Sequence, residues 1–141
     1  MKIIVDAFGG DNAPTEILKG CELAQKELGA DIILSGEEAK IRNAAKVSDV
    51  LLAGMSILPA AGVMEIEDNP GDILKAKRGS SMGTGLDALA AGKGAAFVSA
   101  GSTAALVMGA AFLVKRAPGV KRVAIGAVMP TAKGSFLLAD T

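Results

Sequence analysis

Three short segments of this sequence gather side chains that could do chemistry. Asp6, Asp11 and Asn12 flank Gly9 and Gly10 in Asp6-Ala7-Phe8-Gly9-Gly10-Asp11-Asn12. Ser99, Ser102 and Thr103 surround Gly101, and Thr131 and Lys133 precede Gly134. Together they offer two carboxylates, an amide, several hydroxyls, glycine turns and one lysine. That inventory suits holding a phosphate and polarising a carbonyl; neither a metal cage nor a covalent nucleophile is apparent in it. The sequence has no His, which excludes Ser-His-Asp chemistry and most zinc sites. Its single cysteine, Cys21, rules out an internal disulfide, suits a reducing cytoplasm and reads as a small apolar filler on a helix. No G-x-x-x-x-G-K-[ST] phosphate loop occurs, nor a G-x-G-x-x-G fingerprint after the first strand. Gly83-Thr84-Gly85 is a lone G-x-G.

The elements that must position these groups alternate. Met1 to Val5 reads as a strand rather than a secretory signal, with Asp6 to Pro14 as its loop. A helix follows to about Leu28, with Pro14 in its first turn, Asn12 or Asp11 as cap, and Gly29 as its stop. Asp31 to Gly36 is a second strand, and Glu37 to about Ala45 a polar helix. Val50–Ala53 and Gly62–Ile66 read as short strands joined by a loop around Pro59. Lys75, Lys77 and Arg78 form either a solvated face or an anion-attracting patch. A helix to about Ala91 precedes the strand ending at Val98. A further helix, capped by Ser102 or Thr103, closes at Lys115-Arg116. Val123–Val128 reads as another buried strand, and Ser135–Ala139 as the last. The alternation predicts a parallel sheet covered by helices, in a single α/β domain over residues 1–141. Ligands of such a sheet bind at the carboxyl ends of its strands, where Asp6–Asn12, Ser99–Thr103 and Pro130–Gly134 would meet.

Composition agrees. Half of the 141 residues are hydrophobic but only 3% aromatic, so the core must be built from Ala, Ile, Leu, Val and Met. Fifteen basic and fifteen acidic side chains cancel, leaving no electrostatic argument for nucleic acid. Lys93 and Lys115 bracket a charge-free stretch long enough to span a bilayer, but Gly101-Ser102-Thr103 divides it into a strand-length and a helix-length piece.

Four ordered segments resemble the bacterial phosphate acyltransferase (PlsX) family. Asp6 to Pro14 is similar to its D-A-M-G-G-D-x-A-P opening, with Phe8 in place of Met. Ser80-Ser81-Met82 is similar to its S-S-M. Ser99 to Leu106 is similar to its S-A-G-N-T-G-A-L, with Ser102 for Asn and Ala104 for Gly. Pro130 to Gly134 is similar to its P-T-x-x-G. The resemblance implies a three-layer α/β/α, Rossmann-like fold of the isocitrate and isopropylmalate dehydrogenase kind. It implies transfer of a fatty acyl group from acyl carrier protein to inorganic phosphate, giving acyl phosphate for phospholipid synthesis. It also implies a cytoplasmic homodimer, with peripheral membrane contact admitted and no cofactor. Asp6, Asp11, Ser102 and Lys133 are then the candidate catalytic residues. Gly9, Gly10, Asn12, Ser80, Ser81, Ser99, Gly101 and Thr103 are the candidate phosphate-binding ones. Asp6 and Asp11 either orient donors and handle a proton, or only stabilise loop N–H groups. Ser102 lacks the amide that Asn would offer, and Ala104 adds a methyl where Gly stands. The family is a little over twice this length, and Asp140-Thr141 matches the start of its D-x-G-A-N-like segment, so an N-terminal portion, poorly active alone, is expected. Two alternatives remain open: a phosphotransacetylase-like enzyme using acyl-coenzyme A, and a non-catalytic phosphate-binding module.

Overall fold

Apolar runs short enough for strands alternate with amphipathic segments through the first hundred residues, and they fold accordingly. A computed structural model of the chain describes residues 1–140. It contains β1 (Lys2–Asp6), α1 (Thr15–Leu28), β2 (Asp31–Gly36), α2 (Glu38–Val47), β3 (Ser56–Pro59), α3 (Ser81–Ala90), β4 (Ala96–Val98), α4 (Thr103–Gly109), β5 (Ile125–Thr131) and β6 (Gly134–Asp140). A 3-10 turn over Pro70–Leu74 precedes α3, and a π turn over Ala110–Val114 extends α4.

The first four strands form a parallel sheet in the order β3-β2-β1-β4. The register is tight: Val5 stands beside Leu34 on one side and Val98 on the other. Side chains alternate across the sheet, and the two faces are covered by different helices. Leu34 packs with Leu18 and Cys21 of α1 and Ile41 and Ala45 of α2. Ser35, the next residue, points the other way and donates its hydroxyl to the Ser81 carbonyl of α3 at 2.7 Å. A second cluster on that side joins Met82 and Leu86 of α3 to Ile73 and Ala105. The chain is therefore a three-layer α/β/α fold of Rossmann-like kind. Leu18, Leu34, Ile41, Ile73 and Leu86 are fully or almost fully buried, each contributing about 1.5–3 kcal/mol relative to exposure.

α1 ends as its glycine dictates. Gly29 takes a left-handed φ of 62° and donates its N–H to the Gln25 carbonyl. Its start differs from expectation: Pro14 occupies the cap position and neither Asp11 nor Asn12 caps through its side chain. The Asn12 backbone carbonyl accepts the Glu16 N–H instead.

Three further expectations are corrected. Val50–Ala53 and Gly62–Ile66 are not strands; Ser56–Pro59 between them is. Val50 is bound into the end of α2, its N–H donating to the Ala45 carbonyl, so the chain becomes free to pair only after the turn at Leu52–Met55. Pro59 is tolerated because β3 is the sheet's edge and ends there. Val123–Val128 is not a buried strand of the parallel sheet. β5 and β6 pair antiparallel in a separate two-stranded sheet, and β5 is exposed throughout. Only Ala132 and Lys133 separate them, whereas a parallel return needs a crossover of roughly a dozen residues. The basic segment forms no helix face: Lys77 pairs with Asp68 at 2.8 Å, and Arg78 grips both oxygens of Asp87 at 3.0 and 3.1 Å. The hydrogen bond from Lys77 holds the Asp68 carboxyl below its ordinary range. Asp140 closes β6 opposite Ile125, but Thr141, the second residue of the expected D-x-G-A-N-like start, lies outside the described residues.

Candidate functional site

β1 and β4 are parallel neighbours, so their carboxyl ends place Asp6 and Ser99 side by side. Ser99 donates its hydroxyl to Asp6 Oδ2 at 2.8 Å. The same hydroxyl oxygen accepts the Gly101 N–H at 3.1 Å, and Asp6 Oδ1 accepts the Phe8 N–H at 3.1 Å. Asp6 is 2% exposed. One buried carboxylate thus ties the turn after β1 to the turn after β4, across 93 residues of sequence. Buried polar groups in such a network are costly to leave unpaired, so the geometry is held firmly.

Gly9 sits inside this network. A Cβ there would lie 2.6 Å from Ser99 Oγ, 2.7 Å from Asp6 Oδ2 and 2.8 Å from the Gly101 nitrogen. Gly10 next to it has φ +111° and packs on Ala100. The two glycine turns therefore interlock, and Met82 of α3 supports Gly101 from below, 3.1 Å from where its Cβ would be.

The remaining candidates divide. Ser102 is buried and caps α4, accepting the Ala105 N–H at 3.4 Å, while Thr103 is exposed at the first position of that helix. Ser80 caps α3 by accepting the Gly83 N–H at 3.2 Å. Ser81 is fully buried and its hydroxyl has no partner. Asp11 and Asn12 are exposed beyond Gly10. Lys133 is not brought to these turns by the parallel sheet as expected: it stands in the exposed turn of the β5–β6 hairpin, its N–H donating to Thr131 Oγ1. The tight reversal that makes the hairpin removes Pro130–Gly134 from the strand ends where Asp6 and Ser99 meet.

Two clefts flank the interlocked turns. One, of about 220 Å³, is bordered by Phe8, Gly10, Asp11, Met64, Glu65, Ile66, Glu67 and Gly101. Its rim is acidic, a feature hidden in the sequence because Glu65 and Glu67 lie far from Asp11 along the chain. The other, of about 330 Å³, runs between α1 and the sheet with Asp6 and Ser99 at one end. Neither lining contains a basic residue, so the donors at the turns are hydroxyls and backbone N–H groups. Among the described residues, no cluster of three His, Cys, Asp or Glu could hold a metal.

Cys21 faces this second cleft from α1 and is 5% exposed. Burial pushes its thiol up to about 11, because the thiolate would be poorly solvated there. Alkylation of the native protein by iodoacetamide at pH 8 is therefore expected to be slow, and to become fast in guanidinium chloride. Equal rates in both states, read by mass spectrometry, would contradict this packing.

Comparison with known proteins agrees with the motifs. A family model described as fatty acid synthesis protein matches residues 1–141. The phosphate acyltransferase of Thermotoga neapolitana is 44% identical over 140 residues, covering 99% of this chain and 40% of the relative. That of Thermotoga maritima is 41% identical over 140 residues, again covering 99% and 40%. That of Acetivibrio thermocellus is 43% identical over 141 residues, covering 99% and 42%. The chain thus spans about two fifths of the length of these relatives. The four motif resemblances and the match from Met1 to Thr141 lead to one assignment: the chain belongs to the fatty acid synthesis protein family, that of the phosphate acyltransferases.

Proposed function

We propose that this chain carries part of the site of an enzyme that moves a fatty acyl group from acyl carrier protein to inorganic phosphate, making acyl phosphate for phospholipid synthesis. The observation that supports it most is the Asp6–Ser99–Gly101 network, which preorganises two glycine turns at the strand ends. A phosphate oxygen attacks the thioester carbonyl, the carbonyl π electrons move onto its oxygen, and the collapse of that oxyanion expels the thiolate. The products are acyl phosphate and the free carrier thiol, the thiolate taking up the proton that the phosphate gives up. Ser102 and Thr103, with Gly9, Gly10 and Asn12 opposite, are the residues proposed to hold phosphate and meet the oxyanion, while Ser99 and Gly101, whose protons go to Asp6 and to Ser99 Oγ, shape the turn that presents them. Asp6 acts by holding Ser99 and the Phe8 N–H in place, which makes it a positioning residue. Asp11, on the acidic rim, is the proposed proton handler. Ser80, Ser81 and Met82 back the Gly101 turn from α3, and Lys133 would have to approach from the hairpin. The protein is proposed to work in the cytoplasm as a homodimer with peripheral membrane contact. The hairpin leaves Val128 and Leu137 exposed on one face and Phe136 and Leu138 on the other, apolar surface that suits a second copy. Among the described residues, no helix is long and apolar enough to cross a membrane.

A second reading, a phosphate-binding module without turnover, is favoured by Ser102 and Ala104 standing where the family pattern has Asn and Gly, which removes an amide donor and adds a methyl at the turn. Hydroxylamine trapping separates the two. The chain is mixed with long-chain acyl carrier protein with and without phosphate, beside the Thermotoga maritima relative. Phosphate-dependent hydroxamate is the expected result from the relative and, at a much lower rate, from this chain. Phosphate binding without hydroxamate moves the assignment to the binding module, and hydroxamate only from acyl-coenzyme A moves it to the phosphotransacetylase-like enzyme.

A further inference from the structure

The segment that walls the smaller cleft has little of its own to hold it. Met64, Glu65, Ile66 and Glu67 line that cleft together with Gly10 and Gly101, yet they belong to no helix or strand. The loop is closed at its base, where Ala61 donates its N–H to the Gly79 carbonyl and Ser81 to the Gly62 carbonyl. Beyond that base, among the described residues, two hydrogen bonds tie Val63–Asp68 to the rest of the chain, and the Lys77 ammonium makes both. Its Nζ donates to the Val63 carbonyl at 3.1 Å and to Asp68 Oδ2 at 2.8 Å. Asp68 Oδ2 also accepts the Glu65 N–H at 2.8 Å, which closes the segment on itself. Lys77 works from a fixed base. Its own N–H donates to the Asp72 carbonyl at 2.8 Å, and its carbonyl accepts the Ser80 N–H at 3.0 Å, just before α3 begins. The hydrogen bond to Asp68, with Glu65 and Asp72 nearby, holds its ammonium above the ordinary range.

What the clamped segment carries inward is Met64, 4% exposed, which packs in the cluster that contains Met82. Met82 in turn supports the Gly101 turn, its Cε 3.1 Å from where a Gly101 Cβ would be. We propose that Lys77 is a positioning residue for the proposed phosphate turns: by clamping Val63–Asp68 it keeps Met64 packed with Met82 and sets the wall that borders Gly10 and Gly101. The assignment rests on the phosphate-site reading above. Arg78, the adjacent cation, has no such part, because it is committed to Asp87 of α3.

Hydrogen–deuterium exchange of the full chain, read by mass spectrometry beside calorimetric titration with inorganic phosphate, tests this. Lys77→Met keeps the aliphatic stem and removes both hydrogen bonds, and Asp68→Ala removes the acceptor at the other end. A partly exposed ion pair adds little to global stability, so both variants should keep the wild-type circular dichroism and nearly the wild-type urea midpoint. Exchange should nevertheless rise by about threefold or more in Val63–Asp68 and in the Ser99–Thr103 turn, and phosphate affinity should fall by about as much. Lys77→Arg, which can donate to both oxygens, should restore both. Arg78→Met, which removes the same charge one residue on, should change neither. Should Lys77→Met fail to fold, Asp68→Ala alone decides. Wild-type exchange in the Ser99–Thr103 turn overturns the proposal, as does wild-type phosphate affinity or an equal effect of Arg78→Met. A wild-type chain that binds no phosphate, with the turn loosened in the clamp variants, keeps the clamp and removes the phosphate reading. Phosphate bound equally by wild type and variants, with the turn unchanged, removes the clamp and leaves the phosphate site.

Discussion

Gly9→Ala is expected to destabilise the protein and to abolish the proposed phosphate binding together. The added methyl would sit 2.6–2.8 Å from three polar atoms, Ser99 Oγ, Asp6 Oδ2 and the Gly101 nitrogen, none of which is the free end of a flexible side chain. Something must move, and every available movement stretches a hydrogen bond that ties β1's turn to β4's. Overpacking of this kind costs about 1–3 kcal/mol, and the lost hydrogen bonds add to it. Gly20→Ala is the matched control: its methyl meets nothing, and it should stabilise the helix by up to about 1 kcal/mol. Urea denaturation of the two variants, with phosphate titration by calorimetry, checks the contrast. A Gly9→Ala protein of wild-type midpoint and wild-type phosphate affinity would show that the two turns are not interlocked as described.

Asp6→Ala should be nearly as damaging, by a different route. It leaves the half-buried Ser99 hydroxyl and Phe8 N–H without their acceptor, at up to about 1–3 kcal/mol for each group that water does not reach. Ser99 is then free to leave the Gly101 N–H, so phosphate affinity should fall at least tenfold. Asp6→Asn separates positioning from proton transfer. The amide carbonyl can still accept the Phe8 N–H, and its NH₂ can donate to Ser99 Oγ, so most stability should return. If Asp6 only positions Ser99, phosphate affinity should return with stability and the pH profile of hydroxamate formation should be unchanged. A lost acidic limb in that profile would instead make Asp6 a proton-transfer group.

The clash at Gly9 and the contacts of Asp6 are both invisible along the chain, where Asp6 and Ser99 stand 93 residues apart. What could be read without the structure was local. The apolar runs at Lys2–Asp6 and Asp31–Gly36, the helix stop at Gly29 and the Ser102 cap each follow from backbone preferences that act within a few residues. The α/β class follows from their alternation, and the family from four short ordered motifs. The candidate turns after β1 and β4 were legible for the same reason, since parallel strands deliver their carboxyl ends to one edge.

Tertiary structure decided the rest, because the competing local signals were equal until pairing and packing chose between them. Pro59 looks like a loop residue, yet an edge strand has no partner on one side for the N–H that proline lacks, so Ser56–Pro59 pairs with β2. Val123–Val128 is apolar enough for a buried strand, but a two-residue reversal at Ala132-Lys133 admits only an antiparallel partner, and Lys133 leaves with it. The acidic rim formed by Asp11, Glu65 and Glu67 exists only once the loop before Pro70 folds over Gly10. The amino-acid sequence by itself determined most of the elements up to α2, the class, the family and the two turns that carry the candidate chemistry. Only the folded chain decided that those turns interlock through Asp6 and Gly9, because steric fit and burial are properties of residues brought together from distant parts of the chain.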